Sequence, residues 1–353
     1  MAVTTENFGK TTTNETIHLY TIKNASGMMA KVTDWGAILV ELWTPDKNGK
    51  LEDVVLGYDN TDQYLTNPSH FGATIGRSGN RIEFGKFVID GKTYQLAQNQ
   101  KGNNLHSGPD GYEYRLWMAT AQTDQSVTFS LVSPDGDQGF PGEFRVSVTY
   151  TVTDANELTL TYDGSCDQDT VANMTNHSYF NLNGCDSREP VYNHVVELKA
   201  EYYTPVADDK AIPTGEIAPV KGTPMDFLTA KQIGVDIGSD FEQLTMCGGY
   251  DHNYVLKREK SKDMVKLGEV FVEENGRGMR ILTDAVGFQF YSSNFINPDT
   301  AHGKRGVVYD KRGAFCIETQ YFPNAINTKS FPSPLLKAGE NYHTVTTYQF
   351  FTK

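Results

Sequence analysis

The sequence has few cysteines, no long apolar run and fewer basic than acidic residues. Its 353 residues include four cysteines and no Cys-x-x-Cys pair, which argues against a zinc knuckle and requires no disulfide. No run of about 18 apolar residues exists, so we expect no transmembrane helix. Lys and Arg number 31 against 44 Asp and Glu, giving a net charge of -13 at pH 7. An acidic chain repels phosphate groups, so we expect neither nucleic-acid nor membrane partners.

The N-terminal segment lacks the apolar stretch of a secretory signal peptide. Residues 1–14 are polar and rich in threonine, and we expect a flexible tail there, with an edge strand as the alternative. Residues 15–353 contain no linker and no break in composition, so we expect one domain. Without a visible signal peptide we expect a cytoplasmic location, although a leader removed beforehand would leave no trace in this sequence.

Short strands and turns dominate the pattern. Runs of β-branched and aromatic residues are closed by turn residues roughly every 8–12 positions. The Asp90-Gly91 pair between two such runs is the strongest hairpin signal. Only residues 59–67 and 228–244 have a helical pattern. No fixed-period repeat is found, which disfavours a propeller, so the sequence predicts an all-β sandwich or barrel.

One strand-like stretch carries more polar side chains than packing alone would require. Residues 175–181 read Thr-Asn-His-Ser-Tyr-Phe-Asn, in which the Asn, His, Ser and Tyr side chains can all form hydrogen bonds. A strand that only packs a sandwich alternates apolar and polar residues, and this one does not. His177 is then either a buried histidine satisfied by its neighbours or a group that moves a proton near neutral pH.

Four other stretches hold charged or amide side chains between small or β-prone residues. They are residues 76–82 with two arginines, 103–108 with His106, 248–253 with Asp251 and 316–323 with Glu318. Each has an ordinary structural explanation, such as a turn paired with surface carboxylates, an Asx turn or a glutamate facing solvent on an edge strand. No single stretch indicates a function, but one face of a sandwich could gather them into a cleft.

Taken together, these motifs resemble those of the aldose 1-epimerases, the galactose mutarotase family. The matching segments are Asn80-Arg81-Ile82, Leu105-His106-Ser107-Gly108, residues 176–182, Asp251-His252-Asn253 and residues 318–325. They follow one another in the family's order, and the resemblance covers about residues 16–350. Ser107 stands where the family usually has glycine and Asn324 where it usually has aspartate, differences that bear on sugar preference rather than on the chemistry.

The resemblance implies a large antiparallel β-sandwich with few short helices. It also implies interconversion of the α and β anomers of free hexoses, such as D-glucose and D-galactose, without cofactor or metal, by a monomer or weak homodimer. By resemblance, Glu318 is the base that takes the proton of the C1 hydroxyl and His177 is the acid that protonates the ring oxygen. The implied sugar-binding residues are Asn80, Arg81, His106, Ser178, Tyr179, Asp251 and Gln289. Tyr291 or Trp35 could stack on the apolar sugar face, although core packing is the commoner role.

Three alternatives are open on the sequence alone. A hexose-6-phosphate 1-epimerase would have a similar sandwich, but phosphate recognition favours a cluster of basic residues, and the candidates Arg77 and Arg81 are few. A non-catalytic carbohydrate-binding module would explain the aromatic residues and polar loops, but not a Glu and a His each in a strand-like setting. A metal enzyme would use residues whose spacing matches no metal motif, namely His106, His177, His252 and Asp251.

Overall fold

The fold is built almost entirely from β-strands. The structure is a computed structural model that describes residues 2–257 and 259–353. Its strands are β1 (Thr4–Lys10), β2 (Thr16–Lys23), β3 (Met29–Thr33), β4 (Ile38–Pro45), β5 (Leu51–Asp53), β6 (Ala73–Ile75), β7 (Arg81–Ile82), β8 (Lys86–Ile89), β9 (Lys92–Gln95), β10 (Asn104–Leu105), β11 (Met118–Gln122), β12 (Ser126–Ser133), β13 (Phe144–Val152), β14 (Glu157–Cys166), β15 (Thr170–Val171), β16 (Thr175–His177), β17 (Tyr179–Phe180), β18 (Val195–Leu198), β19 (Tyr202–Thr204), β20 (Ala218–Pro219), β21 (Lys231–Gln232), β22 (Asp251–Val255), β23 (Val265–Phe271), β24 (Arg277–Thr283), β25 (Gly287–Tyr291), β26 (Phe315–Gln320), β27 (Leu335–Leu336) and β28 (Asn341–Thr352).

Helices are short and few in the part of the chain that the structure describes. The α-helices there are α1 (Thr61–Tyr64) and α2 (Glu242–Cys247). The 3₁₀ segments are Glu83–Gly85, Tyr112–Tyr114, Asp137–Gly139, Val191–Asn193, Ile233–Val235, Lys304–Gly306 and Ala325–Asn327. None of the helices in residues 2–257 and 259–353 is long and apolar enough to cross a membrane.

Three antiparallel sheets form the body of the molecule. The nine-stranded sheet has the order β11-β12-β13-β14-β28-β24-β23-β18-β21, and the six-stranded sheet has the order β17-β26-β25-β22-β19-β20. The five-stranded sheet follows the chain from β1 to β5. Neighbouring strands in these sheets run antiparallel. The prediction of an antiparallel β-sandwich with few short helices is therefore confirmed.

The largest hydrophobic core lies between the nine-stranded sheet on one side and the six-stranded and five-stranded sheets on the other. The Tyr348 ring of β28 lies 5.1 Å from the Phe180 ring of β17, and its hydroxyl donates to the Ile317 carbonyl of β26 at 3.1 Å. Side chains alternate across a strand, so Phe315, Ile317 and Thr319 face this core while Glu318 points to the opposite side of the sheet. Both faces of β26 are buried.

The predicted hairpin is confirmed, and the predicted helices are largely wrong. β8 and β9 pair from Lys86↔Gln95 to Ile89↔Lys92 around the Asp90-Gly91 turn. Within residues 59–67, only Thr61–Tyr64 is helical. Within residues 228–244, the α-helix begins only at Glu242, after a 3₁₀ turn. Two glycines in this second segment lower its helix propensity, and turns replace most of the expected helix.

Within residues 1–14, where we expect a flexible tail or an edge strand, the structure has the edge strand β1. β1 pairs with β2 from Thr4↔Thr21 to Lys10↔Thr16. The Thr61 hydroxyl donates to the Phe8 carbonyl at 2.6 Å, which ties the strand to α1. Met1 lies outside the described residues. A single domain over residues 15–353, a cytoplasmic location and a monomeric or weakly dimeric state stay predictions.

Candidate active site

A polar pocket opens beside the six-stranded sheet, on the side away from the main core. Its cavity measures about 190 Å³. Eight of the nine residues that the sequence predicts for the site line it: Asn80, Arg81, His106, His177, Tyr179, Asp251, Gln289 and Glu318. Residues from both halves of the chain therefore meet in one small cavity.

The register of three adjacent strands places the acidic and amide groups of the pocket on one face. Asn253 of β22 pairs with Gln289 of β25, which pairs with Glu318 of β26. Directly paired residues in a sheet point to the same face, as do residues two positions along a strand. Asp251 and Tyr291, two positions from Asn253 and Gln289, therefore also face the pocket. Apolar side chains on the other face of β25 and β26 fill the core.

His177 and Glu318 approach each other at the centre of the pocket. The distance from His177 Nε2 to Glu318 Oε1 is 3.7 Å, and the side chains are 7% and 3% exposed. The other imidazole nitrogen, Nδ1, lies 3.6 Å from Cys316 Sγ, and the ring stacks on Tyr179 with centroids 4.9 Å apart. Glu318 Oε2 has no hydrogen-bond partner among the described residues. Two groups that can carry a proton thus lie side by side, and Glu318 Oε2 can form a hydrogen bond to a ligand.

Burial shifts the pKa values of this pair in opposite directions. Loss of hydration raises the pKa of Glu318 to about 8; the nearby Asp251 carboxylate adds to this rise and Arg81 opposes it. Loss of hydration also lowers the pKa of His177 to about 3, assisted by the charge of His70. At neutral pH these pKa values favour a carboxylic acid and a neutral imidazole. The pair then holds one proton that either member can carry.

His106 presents a hydrogen-bond donor to the pocket. The Asn80 backbone N–H donates to His106 Nδ1 at 3.2 Å, and the His106 backbone N–H donates to the Asn80 backbone carbonyl at 2.9 Å. Burial, with nearby positive charge, holds the pKa of His106 well below its usual range, so the imidazole is neutral. Because Nδ1 accepts a hydrogen bond, the proton of this neutral imidazole is on Nε2.

The tautomer of the His106 imidazole also affects whether the pocket can bind a metal ion. One ligand atom each from His106, His177 and Glu318 lie within 4.8 Å of one another, a spacing that a metal ion could bridge. His106 offers no free lone pair, however, because Nδ1 accepts from Asn80 and Nε2 carries the proton. The four residues that the metal-enzyme alternative would use do not all face the pocket, because His252 lies on the opposite face of β22 from Asp251 and its Nε2 lies 3.8 Å from Cys247 Sγ.

A chain of amides fixes the acceptor side of the pocket. Gln289 Nε2 donates to Asp251 Oδ1 at 2.6 Å, and Gln320 Nε2 donates to Gln289 Oε1 at 3.3 Å. The Asn80 side-chain amide donates to Gln320 Oε1 at 3.4 Å. Burial raises the pKa of Asp251, and the Arg81 charge and the bond from Gln289 oppose this rise. The network holds the Gln289 amide and the Asp251 carboxylate in fixed positions.

Three residues singled out from the sequence lie away from the pocket. The Ser178 hydroxyl donates to the Asn176 side-chain oxygen at 2.5 Å and does not line the cavity. The Trp35 indole donates to the Tyr64 carbonyl at 3.1 Å, so this aromatic packs the structure. Arg77 is fully buried and donates to the Pro141 carbonyl at 2.7 Å, so only Arg81 of the two arginines reaches the pocket.

Sequence reasoning missed several residues of the pocket wall. His70, Gln100 and Phe295 line the cavity without belonging to any of the motifs. Gln100 Oε1 accepts from Arg81 Nε at 2.9 Å and so orients the guanidinium. Phe295 is 64% exposed and stacks on Tyr291. An exposed aromatic side chain and an isolated histidine carry no periodic signal, so the sequence offers little with which to find them.

Comparison with known proteins gives matches over nearly the whole chain. The family model described as aldose 1-epimerase matches residues 18–349. A galactose mutarotase of Sus scrofa is 42% identical over 319 residues, 90% of each chain. An aldose 1-epimerase of Escherichia coli (strain K12) is 35% identical over 337 residues, 95% of each chain. The solved structure of a GalM/aldose epimerase homologue from C. elegans has a TM-score of 0.85 at 34% identity, and covers 95% of this chain and 98% of that one.

Proposed function

Because this chain belongs to the aldose 1-epimerase family, and is an isomerase that interconverts the α and β anomers of hexoses, we propose that His177 and Glu318 exchange the protons of that reaction. The observation that carries the proposal is the 3.7 Å approach of His177 Nε2 to Glu318 Oε1, both buried in the polar pocket. Anomer exchange needs one group that takes a proton and another that gives one, both beside the same carbon atom.

In the proposed reaction the two groups act on neighbouring oxygen atoms of the sugar. The step starts from the less populated form of the pair, in which His177 carries the shared proton and Glu318 is a carboxylate. In this form the Glu318 carboxylate takes the proton of the C1 hydroxyl while His177 Nε2 gives its proton to the ring oxygen. The bond between C1 and the ring oxygen breaks, and a C1 aldehyde forms. Rotation about the C1–C2 bond presents the other aldehyde face, and ring closure returns both protons. No atom or electron is gained or lost, so the reaction needs no redox cofactor.

The pKa values of the pair favour the ring-opening transfers. Ring opening converts a carboxylate and an imidazolium into a carboxylic acid and a neutral imidazole, without changing the net charge of the pocket. Burial favours the second form, because it raises the pKa of Glu318 to about 8 and lowers that of His177 to about 3. The Arg81 charge opposes the rise for Glu318 and so stabilises the carboxylate while the ring is closed.

The remaining polar groups suit the hydroxyls of a sugar. His106 Nε2–H and the Arg81 guanidinium are donors, and the Asp251 carboxylate is an acceptor fixed by Gln289. Tyr179 stacks under the His177 ring and holds its plane. We assign substrate binding to these residues and to Asn80, and no contact to Ser178. A module that only binds carbohydrate would have no need for a buried acid-base pair.

Polarimetry tests the proposal directly. Fresh α-D-glucose or α-D-galactose is dissolved with and without enzyme, each with a metal chelator and no added cofactor. We expect the optical rotation to relax faster with enzyme in both sugars, and relaxation at the buffer rate would refute the proposal. α-D-glucose 6-phosphate serves as a third substrate, and faster turnover of this phosphate than of free glucose would favour the hexose-6-phosphate alternative.

A further inference from the structure

A third imidazole, that of His70, lies in the pocket wall and has no part in the steps above. Its ring centroid is 5.1 Å from that of His106 and 5.8 Å from that of His177. Its Nδ1 lies 3.0 Å from Glu113 Oε1. The Glu113 side chain is fully buried, and its second oxygen has no partner among the described residues. A buried carboxylate is costly without a partner, so the pairing holds His70 in place and gives one Glu113 oxygen its partner.

The backbone around this pair is shaped to hold it. His70 has a φ of 57°, a left-handed conformation that non-glycine residues rarely adopt. Asn67 closes the same loop, because its side-chain oxygen accepts from the Phe71 N–H at 2.9 Å and its amide donates to the Phe71 carbonyl at 3.2 Å. A Cβ on Gly111 would meet Glu113 Oε2 at 2.0 Å, so glycine makes room for the carboxylate. Several local features thus hold the imidazole in one place.

The second nitrogen of His70 is available to a ligand. Nδ1 is occupied by Glu113, and within residues 2–257 and 259–353 no hydrogen bond to Nε2 is found. The side chain is 23% exposed and lines the pocket. An imidazole whose Nδ1 is held by a carboxylate presents Nε2 in a fixed direction. That atom donates to a hydroxyl oxygen when it carries a proton and accepts from the hydroxyl O–H when it does not.

His70 lies on the histidine side of the pocket. Its ring is a neighbour of the His106 and His177 rings, and its charge acts on the pKa values of both residues. The Asp251 charge acts on Glu318 and on neither of these histidines, whereas the Arg81 charge acts on all three groups. In the proposed reaction Glu318 meets the C1 hydroxyl and His177 meets the ring oxygen. The atom beyond the ring oxygen, on the side away from C1, is C5.

We propose that His70, held by Glu113, binds the hydroxyl of the hydroxymethyl group on C5 and so makes the enzyme prefer hexoses to pentoses. The inference rests on the proposed function, because it uses the position of His177 at the ring oxygen. In this role His70 determines sugar specificity and does not transfer a proton.

The test compares sugars that differ only in this group. D-xylose lacks the C5 substituent of D-glucose, L-arabinose lacks that of D-galactose, and D-fucose has a methyl group in place of the hydroxymethyl group of D-galactose. For His70→Ala we expect kcat/KM to fall about tenfold on D-glucose and D-galactose, the effect of about one hydrogen bond. On D-xylose, L-arabinose and D-fucose we expect less than a twofold change. His70→Gln, which keeps a hydrogen-bonding group, is expected to recover part of the hexose rate.

His343→Ala is the matched control. His343 Nδ1 pairs with Asp163 Oδ1 at 2.7 Å outside the pocket, so its loss should leave the hexose-to-pentose ratio unchanged. This ratio is measured within one preparation and does not depend on the folded fraction. An equal loss on every sugar, or no loss on any, would overturn the proposal for His70. Failure of the proposed function would instead appear in the wild-type enzyme, as relaxation at the buffer rate for every sugar.

Discussion

Replacing Glu318 by glutamine separates the proton-transfer role of this side chain from its packing. Glutamine has nearly the same shape, but its amide cannot take a proton from a sugar hydroxyl at ordinary pH. Since Glu318 is the proposed base, we expect kcat on α-D-galactose to fall by at least about 10²-fold, the low end for loss of a general base. Spontaneous mutarotation sets the lowest rate that polarimetry can resolve, so the measurement needs enzyme in large amount.

The same substitution should stabilise the fold at neutral pH. The pKa of Glu318 is about 8 in the folded protein against an ordinary value of 4.5. The folded state therefore keeps a proton that the unfolded chain releases, and its stability falls as the pH rises from about 4.5 to about 8. At about 1.36 kcal/mol per pH unit, the wild type loses about 3 kcal/mol of its free energy of unfolding between pH 4.5 and 7. Glutamine does not titrate, so the variant does not have this loss.

Urea unfolding at pH 4.5, 7 and 8, together with polarimetry, measures both effects. We expect the free energy of unfolding of Glu318→Gln to exceed that of the wild type by an amount that grows with pH over this range. Glu157→Gln, on β14 and outside the pocket, is the control and should keep wild-type turnover. A folded Glu318→Gln enzyme with wild-type turnover would refute the assignment of the base and make Asp251 the next candidate. A stability gain that is the same at pH 4.5 and 8 would refute the raised pKa.

Two further predictions concern the acid and the sugar-binding groups. His177→Asn should fold and lose at least about 10²-fold in kcat. Because the pKa of His177 is lowered to about 3, the kcat/KM of the wild type should not change between pH 5 and 7. A change in kcat/KM centred near pH 6.5 would contradict this. Arg81→Ala and Asp251→Ala should each cost roughly 1.5–3 kcal/mol in substrate capture, seen mainly as a higher KM. Arg145→Ala, outside the pocket, is the control, and unchanged kinetic constants in both pocket variants would contradict the assignment.

Glu318 and His177 stand out in the sequence because each interrupts a strand pattern, whereas their roles and the sugar-binding residues are what the resemblance to the aldose 1-epimerases implies. Glu318 stands in a run of strand-forming residues, and His177 stands in a strand that fails to alternate. Such interruptions are local, so a sequence shows them directly. The hairpin at Asp90-Gly91 is local in the same way, and its prediction is confirmed. Residues 228–244 have a helical pattern in the sequence, but two glycines interrupt it, and the α-helix begins only at Glu242.

The sequence could not show which polar groups face each other. Arg77 and Arg81 are four residues apart in one motif, yet the first is bonded within the protein interior and the second reaches the pocket. Ser178 adjoins His177 in the chain but turns to Asn176. His70 carries no motif, and only the fold brings it beside His106 and Glu113.

By itself, the sequence determined the all-β class, and its motifs, through their resemblance to the aldose 1-epimerases, indicated the types of group that the reaction needs and most of the residues that supply them. These properties depend on local patterning, which each segment carries along its own length. The tertiary structure decided the 3.7 Å approach of His177 to Glu318, the tautomer of His106 and the pairing of His70 with Glu113. These features depend on strand register and on burial, which arise only when distant segments pack together and exclude water.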